Sequence, residues 1–193
     1  HAKLIHKTID ISKENNLISN ILTFDPMPEE FFGAKDFFRL MEMTDKYQVF
    51  QNLGIKKVIA IPFNKNFSEI DQDSFVKDIL IDKLSLKHLI VGNDFKFGHK
   101  RIGDISLLKL YKEQGLYDLT VLELVKVTND KVSSRDIRNL IKIGRINDAN
   151  KLIAAPFSLS GKVIHGEKRG RELGYPTANI EIYKSYPING IFL

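Results

Sequence analysis

His88 to Asp104 reads H-L-I-V-G-N-D-F-K-F-G-H-K-R-I-G-D. Its first five residues form a short, almost wholly apolar run, the pattern of a parallel strand covered on both faces. Glycines, Asp94, two phenylalanines and Arg101 follow at once. From Ile105 to Gln114 the apolar residues take helical spacing, with Asp104 placed to cap the start, and Leu119 to Val125 returns to strand. Upstream, Leu17–Phe24 and Lys57–Phe63 are runs of the same strand type. Between them, Asp45–Leu53 and Asp73–Asp82 have helical spacing, the latter with Asp71 as its cap. Alternation of this kind predicts βαβ units and a doubly wound parallel sheet, in which ligands sit outside the carboxyl ends of the strands. Val91 to Asp104 is a loop at such an end.

After Ser133 the pattern turns helical, through Arg138–Ile143 and Asn147–Ile153, and Pro156 breaks it. From Phe157 onward the alternation F-S-L-S-G-K-V-I-H-G is strand-like, without a helical period. A boundary near residue 155 is expected, giving an α/β domain over 1–155 and the start of a β domain over 156–193.

Composition narrows the class. The 193 residues are 43% hydrophobic and 27% charged, ordinary values for a globular chain of one or two domains. No apolar run approaches the roughly 20 residues of a membrane span, and no signal peptide pattern opens the chain. The absence of cysteine excludes disulfides, thiolate zinc sites and a cysteine nucleophile, and fits a cytoplasmic protein. A net charge of +5, spread along the chain, suits anionic nucleotides. Without an arginine-rich stripe or an aromatic RNA-binding motif, nucleic acid is not the expected partner. No G-x-S-x-G elbow or Walker A lysine motif is present, and no two histidines have metal-ligand spacing. The oligomeric state is left open.

Four stretches can carry chemistry. Gly161 to Asn179 (G-K-V-I-H-G-E-K-R-G-R-E-L-G-Y-P-T-A-N) interleaves glycines with Lys162, Lys168, Arg169 and Arg171. Glycines let the backbone approach a ligand, and bare N–H groups with cations suit phosphate. Thr177 and Asn179 add oxygens for a hard cation or its waters. The competing reading is a glycine-rich hairpin with a solvated basic face. The loop after Val91 is either a βα turn with Phe95 and Phe97 in the core or a ligand loop. Thr23 to Pro28 (T-F-D-P-M-P) ends a strand with a turn signal. Ser133 or Ser134 caps the next helix, and the same free N–H groups with Arg138 would equally receive phosphate.

The wording of these stretches resembles bacterial bifunctional FAD synthetases, which join riboflavin kinase and FMN adenylyltransferase in one chain. G-x-V-x-x-G-x-x-R-G-R-x-L-G-x-P-T-A-N is similar to the flap and nucleotide loop that opens their kinase module. G-x-D-F-x-F-G-x-x-R-x-G-D is similar to the flavin and nucleotide loop of their adenylyltransferase module. T-F-D-P-M-P looks like their T-F-D-P-H-P, with Met27 in place of histidine, and Ser133 to Arg138 looks like S-S-T-x-I-R, with Arg135 in place of threonine. His1 stands where the second histidine of H-x-G-H would lead into a helix; the alternative is a residual tag residue.

The resemblance implies a Rossmann-like nucleotidylyltransferase domain with a parallel sheet, then part of a six-stranded riboflavin kinase β-barrel. It implies transfer of AMP from ATP to FMN, giving FAD and pyrophosphate, and phosphorylation of riboflavin by ATP, both with Mg²⁺. His1 would be catalytic, and Asp94, Phe95, Arg101, Ser133, Ser134 and Arg138 would hold the flavin and nucleotide. Lys168, Arg171, Gly174, Pro176, Thr177 and Asn179 would serve the kinase nucleotide, with Thr177 and Asn179 on the metal. The chain opens on His1 rather than Met and stops at Ile-Phe-Leu, so a piece of a longer protein is expected, with the kinase's catalytic glutamate beyond Leu193. Such a piece is expected to phosphorylate no riboflavin. Two rivals remain: another adenylyltransferase of the superfamily, for pantetheine phosphate or nicotinamide mononucleotide, and a non-catalytic flavin- or nucleotide-binding regulator.

Overall fold

Alternation of apolar runs with amphipathic stretches is what the computed structural model carries into three dimensions. It describes residues 2–35, 37–123, 133–153, 156–166, 174, 178–182 and 186. The first helix, α1 (Ala2–Glu14), buries Ile5 and Ile9, one helical turn apart. β1 (Asn20–Phe24) follows, then α2 (Pro28–Phe31), α3 (Met43–Asn52) and β2 (Lys57–Ile61), which pairs with β1 in parallel. α4 (Lys65–Ser68) and α5 (Gln72–Ser74) lead into a π-helix, Phe75–Lys83. β3 (His88–Gly92), α6 (Ile105–Glu113) and β4 (Asp118–Leu122) complete a second parallel pair, β3 with β4. α7 (Ser134–Lys142) and α8 (Ile146–Leu152) come next. β5 (Lys162–Ile164) and β6 (Asn179–Glu181) pair antiparallel.

The chain divides into two compact units, His1–Phe37 with Tyr47–Lys131, and Phe38–Lys46 with Val132–Leu193. In the first, Ile5, Ile9 and Ile55 form one buried cluster. A larger one gathers Phe75, Val76, Leu80, Val91, Phe97, Leu108, Tyr111 and Tyr117. Tyr117 donates its hydroxyl to the Leu108 carbonyl (3.0 Å), and burial pushes the phenol up to about 12. In the second unit, Phe38, Ile137, Ile141 and Ala149 are buried, with Phe157 and Tyr186 packed against them. Tyr186 donates to Glu42 Oε1 at 2.8 Å.

The strands are shorter than the apolar runs. The expected Leu17–Phe24 strand starts at Asn20, because Leu17 N–H donates to Ser12 O and closes α1 through a left-handed Asn16. The Lys57–Phe63 run ends its pairing at Ile61, where Pro62 brings no N–H donor. Leu119–Val125 pairs over Asp118–Leu122, and Val125 lies outside the described residues. Asp73–Asp82 is helical but mostly wound as a π-helix, closed by Leu84 N–H to Ile79 O (3.1 Å). Both aspartate caps are in place: Asp71 Oδ1 accepts from Asp73 and Ser74 N–H, and Asp104 Oδ1 accepts from Ser106 N–H, each at 2.9 Å. No helix among the described residues is long and apolar enough to cross a membrane.

Candidate functional site

The loop after β3 leaves the sheet at its carboxyl end. Asn93 N–H extends the ladder to Leu122 O, and Phe95 N–H turns back to Gly92 O. Asp94 is exposed and leans toward Gly92, where an added Cβ would lie 3.2 Å from its Oδ1. Phe95 is half-buried and stacks on Phe97 (centroids 5.4 Å apart, 22° between planes), so this ring belongs to the core's margin as well as to the loop. A two-residue antiparallel bridge, Phe97 with Gly103, then pinches the segment Gly98–Ile102. Lys100 and Arg101 at its tip are exposed, and both take positive φ (54° and 59°). Lys96 Nζ donates to Asp104 Oδ2 (3.1 Å), which with the cap keeps that carboxyl below the ordinary carboxylate range.

A second feature escaped sequence reasoning. Phe24 closes β1 and meets Phe63, and Phe31 and Phe32 gather around Phe63 as well, in edge-to-face contacts of 5.1–5.8 Å. From there the rings run on without a break: Phe63 to Phe67 (5.7 Å), Phe67 to Phe75 (6.3 Å), Phe75 to Phe97 (5.4 Å), then Phe95. At one end of this file Phe32, which follows α2, is 67% exposed. The signal was present as P-x-x-F-F after T-F-D-P-M-P, but spacing alone does not say that the two phenylalanines meet Phe63.

At the start of α7, Ser133 makes a complete capping box. Its Oγ accepts from Asp136 N–H (3.2 Å), and Asp136 Oδ2 accepts from Ser133 N–H (3.0 Å) and Oγ–H (2.5 Å). The side-chain bond from Ser133 holds the Asp136 carboxyl below its ordinary 3.8. Because the folded value is the lowered one, the cap is intact above the ordinary value and is lost as pH falls through the lowered one. Ser133→Ala should cost roughly 1 kcal/mol of stability. It should also let Asp136 titrate upward toward 3.8, as read from its carboxyl carbon by NMR. An unmoved titration would refute the assignment. Ser134 is exposed at the first helical position, whereas Arg138 is half-buried and donates from Nε to Phe38 O (2.8 Å). Arg138 therefore has a packing duty that the helix-start motif did not announce.

In the β5–β6 hairpin, Ile164 pairs with Asn179 and Lys162 with Glu181. Two glycines of the basic stretch are explained by close approach. A Cβ on Gly161 would fall on the Glu181 carbonyl, and one on Gly166 on the Asn179 side-chain amide. Gly174 takes φ +80°. His1, Lys168, Arg171, Pro176 and Thr177 lie outside the described residues. Asp94, Phe95 and Arg101 thus share one loop of the first unit, while Ser133, Ser134, Arg138, Gly174 and Asn179 belong to the second. Among the described residues no three His, Cys, Asp or Glu side chains converge on a possible metal.

Comparison with known proteins places these features. The FAD synthetase family profile matches residues 1–136, and that of riboflavin kinase matches residues 153–193. The chain is 42% identical to the bifunctional riboflavin kinase/FMN adenylyltransferase of Buchnera aphidicola subsp. Schizaphis graminum, over 98% of this chain and 61% of that protein. It is 33% identical to the protein of that name from Listeria monocytogenes, over 97% of this chain and 60% of the relative. The chain therefore spans about three fifths of the length of the curated relatives it matches. A solved structure described as a macrolide-efflux protein from Streptococcus pneumoniae superposes with a TM-score of 0.81, over 98% of this chain and 62% of that one. At 24% identity that likeness speaks for the fold alone. With the profile covering residues 1–136, the chain belongs to the FAD synthetase family.

Proposed function

We propose that the first unit, within the complete protein, transfers AMP from ATP to FMN. An oxygen of the FMN phosphate attacks the α-phosphorus, the bond to the bridging oxygen breaks, and pyrophosphate leaves as FAD forms. The observation that carries this reading is the file of phenylalanines ending in the exposed Phe32, which offers a flat apolar face to an isoalloxazine ring. Arg101 in the loop after β3 supplies charge for phosphate, and the first turn of α7, with Ser133, Ser134 and Arg138, is a separate phosphate-binding element of the second unit. No covalent intermediate is needed, so the chain's task is positioning and neutralisation of developing charge. His1 would contribute to that neutralisation.

The same reading makes β1–β2 and β3–β4 parts of one doubly wound, Rossmann-like sheet, supported by their parallel pairing. It places the module boundary near residue 155, supported by the riboflavin kinase match from residue 153. The second module would phosphorylate riboflavin. Lys168, Arg171, Gly174 and Pro176 would shape its nucleotide loop. Oxygens of Thr177 and Asn179 suit Mg²⁺, a hard cation that bridges phosphates to such ligands. A cytoplasmic location goes with these substrates.

The test is FAD formation by the full-length protein from FMN and ATP·Mg²⁺, followed by chromatography. FAD is the expected product; its absence, or turnover of pantetheine phosphate instead, overturns the reading. Phe32→Ala should raise the KM for FMN by roughly 5- to 100-fold, the equivalent of about 1–3 kcal/mol of lost stacking. Since the ring is mostly exposed, stability should move by no more than about 0.5 kcal/mol.

A further inference from the structure

Two adjacent non-glycine residues with positive φ do not hold that conformation by themselves, because L side chains are strained there. Lys100 (φ 54°) and Arg101 (φ 59°) do so at an exposed loop tip, and the surroundings show what fixes them. His99 donates its backbone N–H to Ile70 O (2.7 Å), and its Nδ1 lies 2.9 Å from Ser68 O. A carbonyl can only accept, so Nδ1 carries the proton. Ser68 ends α4 and Ile70 lies in the turn that leads into α5, which is itself held by Ile70 N–H to Phe67 O and by the Asp71 cap. The two glycines flanking the tip press on the same turn. A Cβ on Gly98 would lie 2.7 Å from the Cα and N of Gln72, and one on Gly103 2.8 Å from its Cβ.

We propose that His99 is a positioning residue: it latches the Lys100–Arg101 tip to the Ser68–Gln72 turn, so that two cations meet a substrate phosphate in one preset geometry. The inference rests on the adenylyl-transfer reading, and the phosphate is that of FMN or of ATP. His99 touches no substrate; it acts through the backbone of its neighbours. Without the imidazole bond the tip keeps His99 N–H to Ile70 O, Arg101 N–H to Gly98 O and the Phe97–Gly103 bridge, but loses its side-chain tie to Ser68 O, so Lys100 and Arg101 leave the preset geometry more easily.

The experiment uses the full-length protein with His99→Ala, His99→Asn and His99→Gln. Asparagine places an amide N–H near the position of Nδ1, whereas glutamine reaches toward Nε2 and cannot bond Ser68 O. In His99→Ala, the KM of one phosphate substrate should rise about tenfold or more with kcat little changed, since small displacements of a positioned group are expensive. A rise for FMN assigns the tip to the flavin phosphate, and a rise for ATP assigns it to the nucleotide. His99→Asn should restore the KM, and His99→Gln should not. Unchanged KM values, a fall confined to kcat, or equal rescue by glutamine overturns the proposal. Trypsin gives a readout independent of turnover, because it cuts after Lys100 and Arg101. Cleavage there should accelerate about tenfold in His99→Ala, as local opening becomes easier, and an unchanged rate refutes the latch even if the wild type makes no FAD. Failure of the wild type to make FAD while cleavage accelerates sinks the functional reading and leaves the latch standing.

Discussion

Leu108→Ala is expected to remove about 3 kcal/mol of stability, within the roughly 2–5 kcal/mol measured for buried leucines, and so a large share of a typical domain's total. Leu108 sits on α6 with no exposed surface, enclosed by the cluster that includes Phe75, Val91, Phe97 and Tyr117. Truncation leaves a void that rings of this rigidity fill poorly, so the cavity adds to the lost transfer free energy. The Leu108 carbonyl also receives the Tyr117 hydroxyl, which ties the helix backbone to the residue before β4. In a chain of this size the midpoint of thermal unfolding should fall by roughly 6–12 °C. Leu110, two residues along the same helix and 50% exposed, is the control. Its change to alanine should be almost silent in the same experiment. A Leu108→Ala loss below about 1 kcal/mol would show that this cluster is not the unit's core.

Gly98→Ala is expected to cost about 2–4 kcal/mol and, on the adenylyl-transfer reading, to abolish FAD formation by the full-length protein. Gly98 takes φ 72° with ψ 175°, a region populated essentially by glycine alone. A β-carbon there would also collide with backbone atoms of Gln72, which cannot rotate away as a side chain could. The loop must then lift off the α4–α5 turn, and Arg101 goes with it. Gly115→Ala separates strain from collision. That glycine also has positive φ (74°), but nothing lies within 4 Å of an added Cβ, so the penalty should stay near 1 kcal/mol and activity should persist. Equal losses at the two positions would mean that the approach to Gln72 does not matter.

The elements that obey local rules were legible before any coordinates. Asp71, Asp104 and Ser133 cap helices because a short polar side chain before an apolar period has few other uses. The strands were legible too, since short apolar runs such as His88–Gly92, ending at a glycine and flanked by amphipathic stretches, fit strands better than helices. What stayed hidden depends on partners far away in the chain. The winding of Phe75–Lys83 as a π-helix leaves the apolar pattern almost unchanged, so periodicity could not distinguish it from an α-helix. His99 looked like one more polar loop residue, because its acceptors lie some thirty positions upstream. Arg138 was legible as a cation at a helix start, yet its bond to Phe38 O spans 100 positions. For the proposed site, motif wording drew attention to Asp94, Phe95 and Arg101, whereas the exposure of Phe31 and Phe32 is a tertiary property that wording does not carry.

At its inner end the file of phenylalanine rings, Phe97 and Phe95, is part of the loop after β3 itself. Benzene rings carry no permanent dipole that can swing toward a charge, and they leave no polar atom to anchor water. On the adenylyl-transfer reading, a phosphate brought against these rings would give up water on that side, a cost that a neighbouring cation must offset.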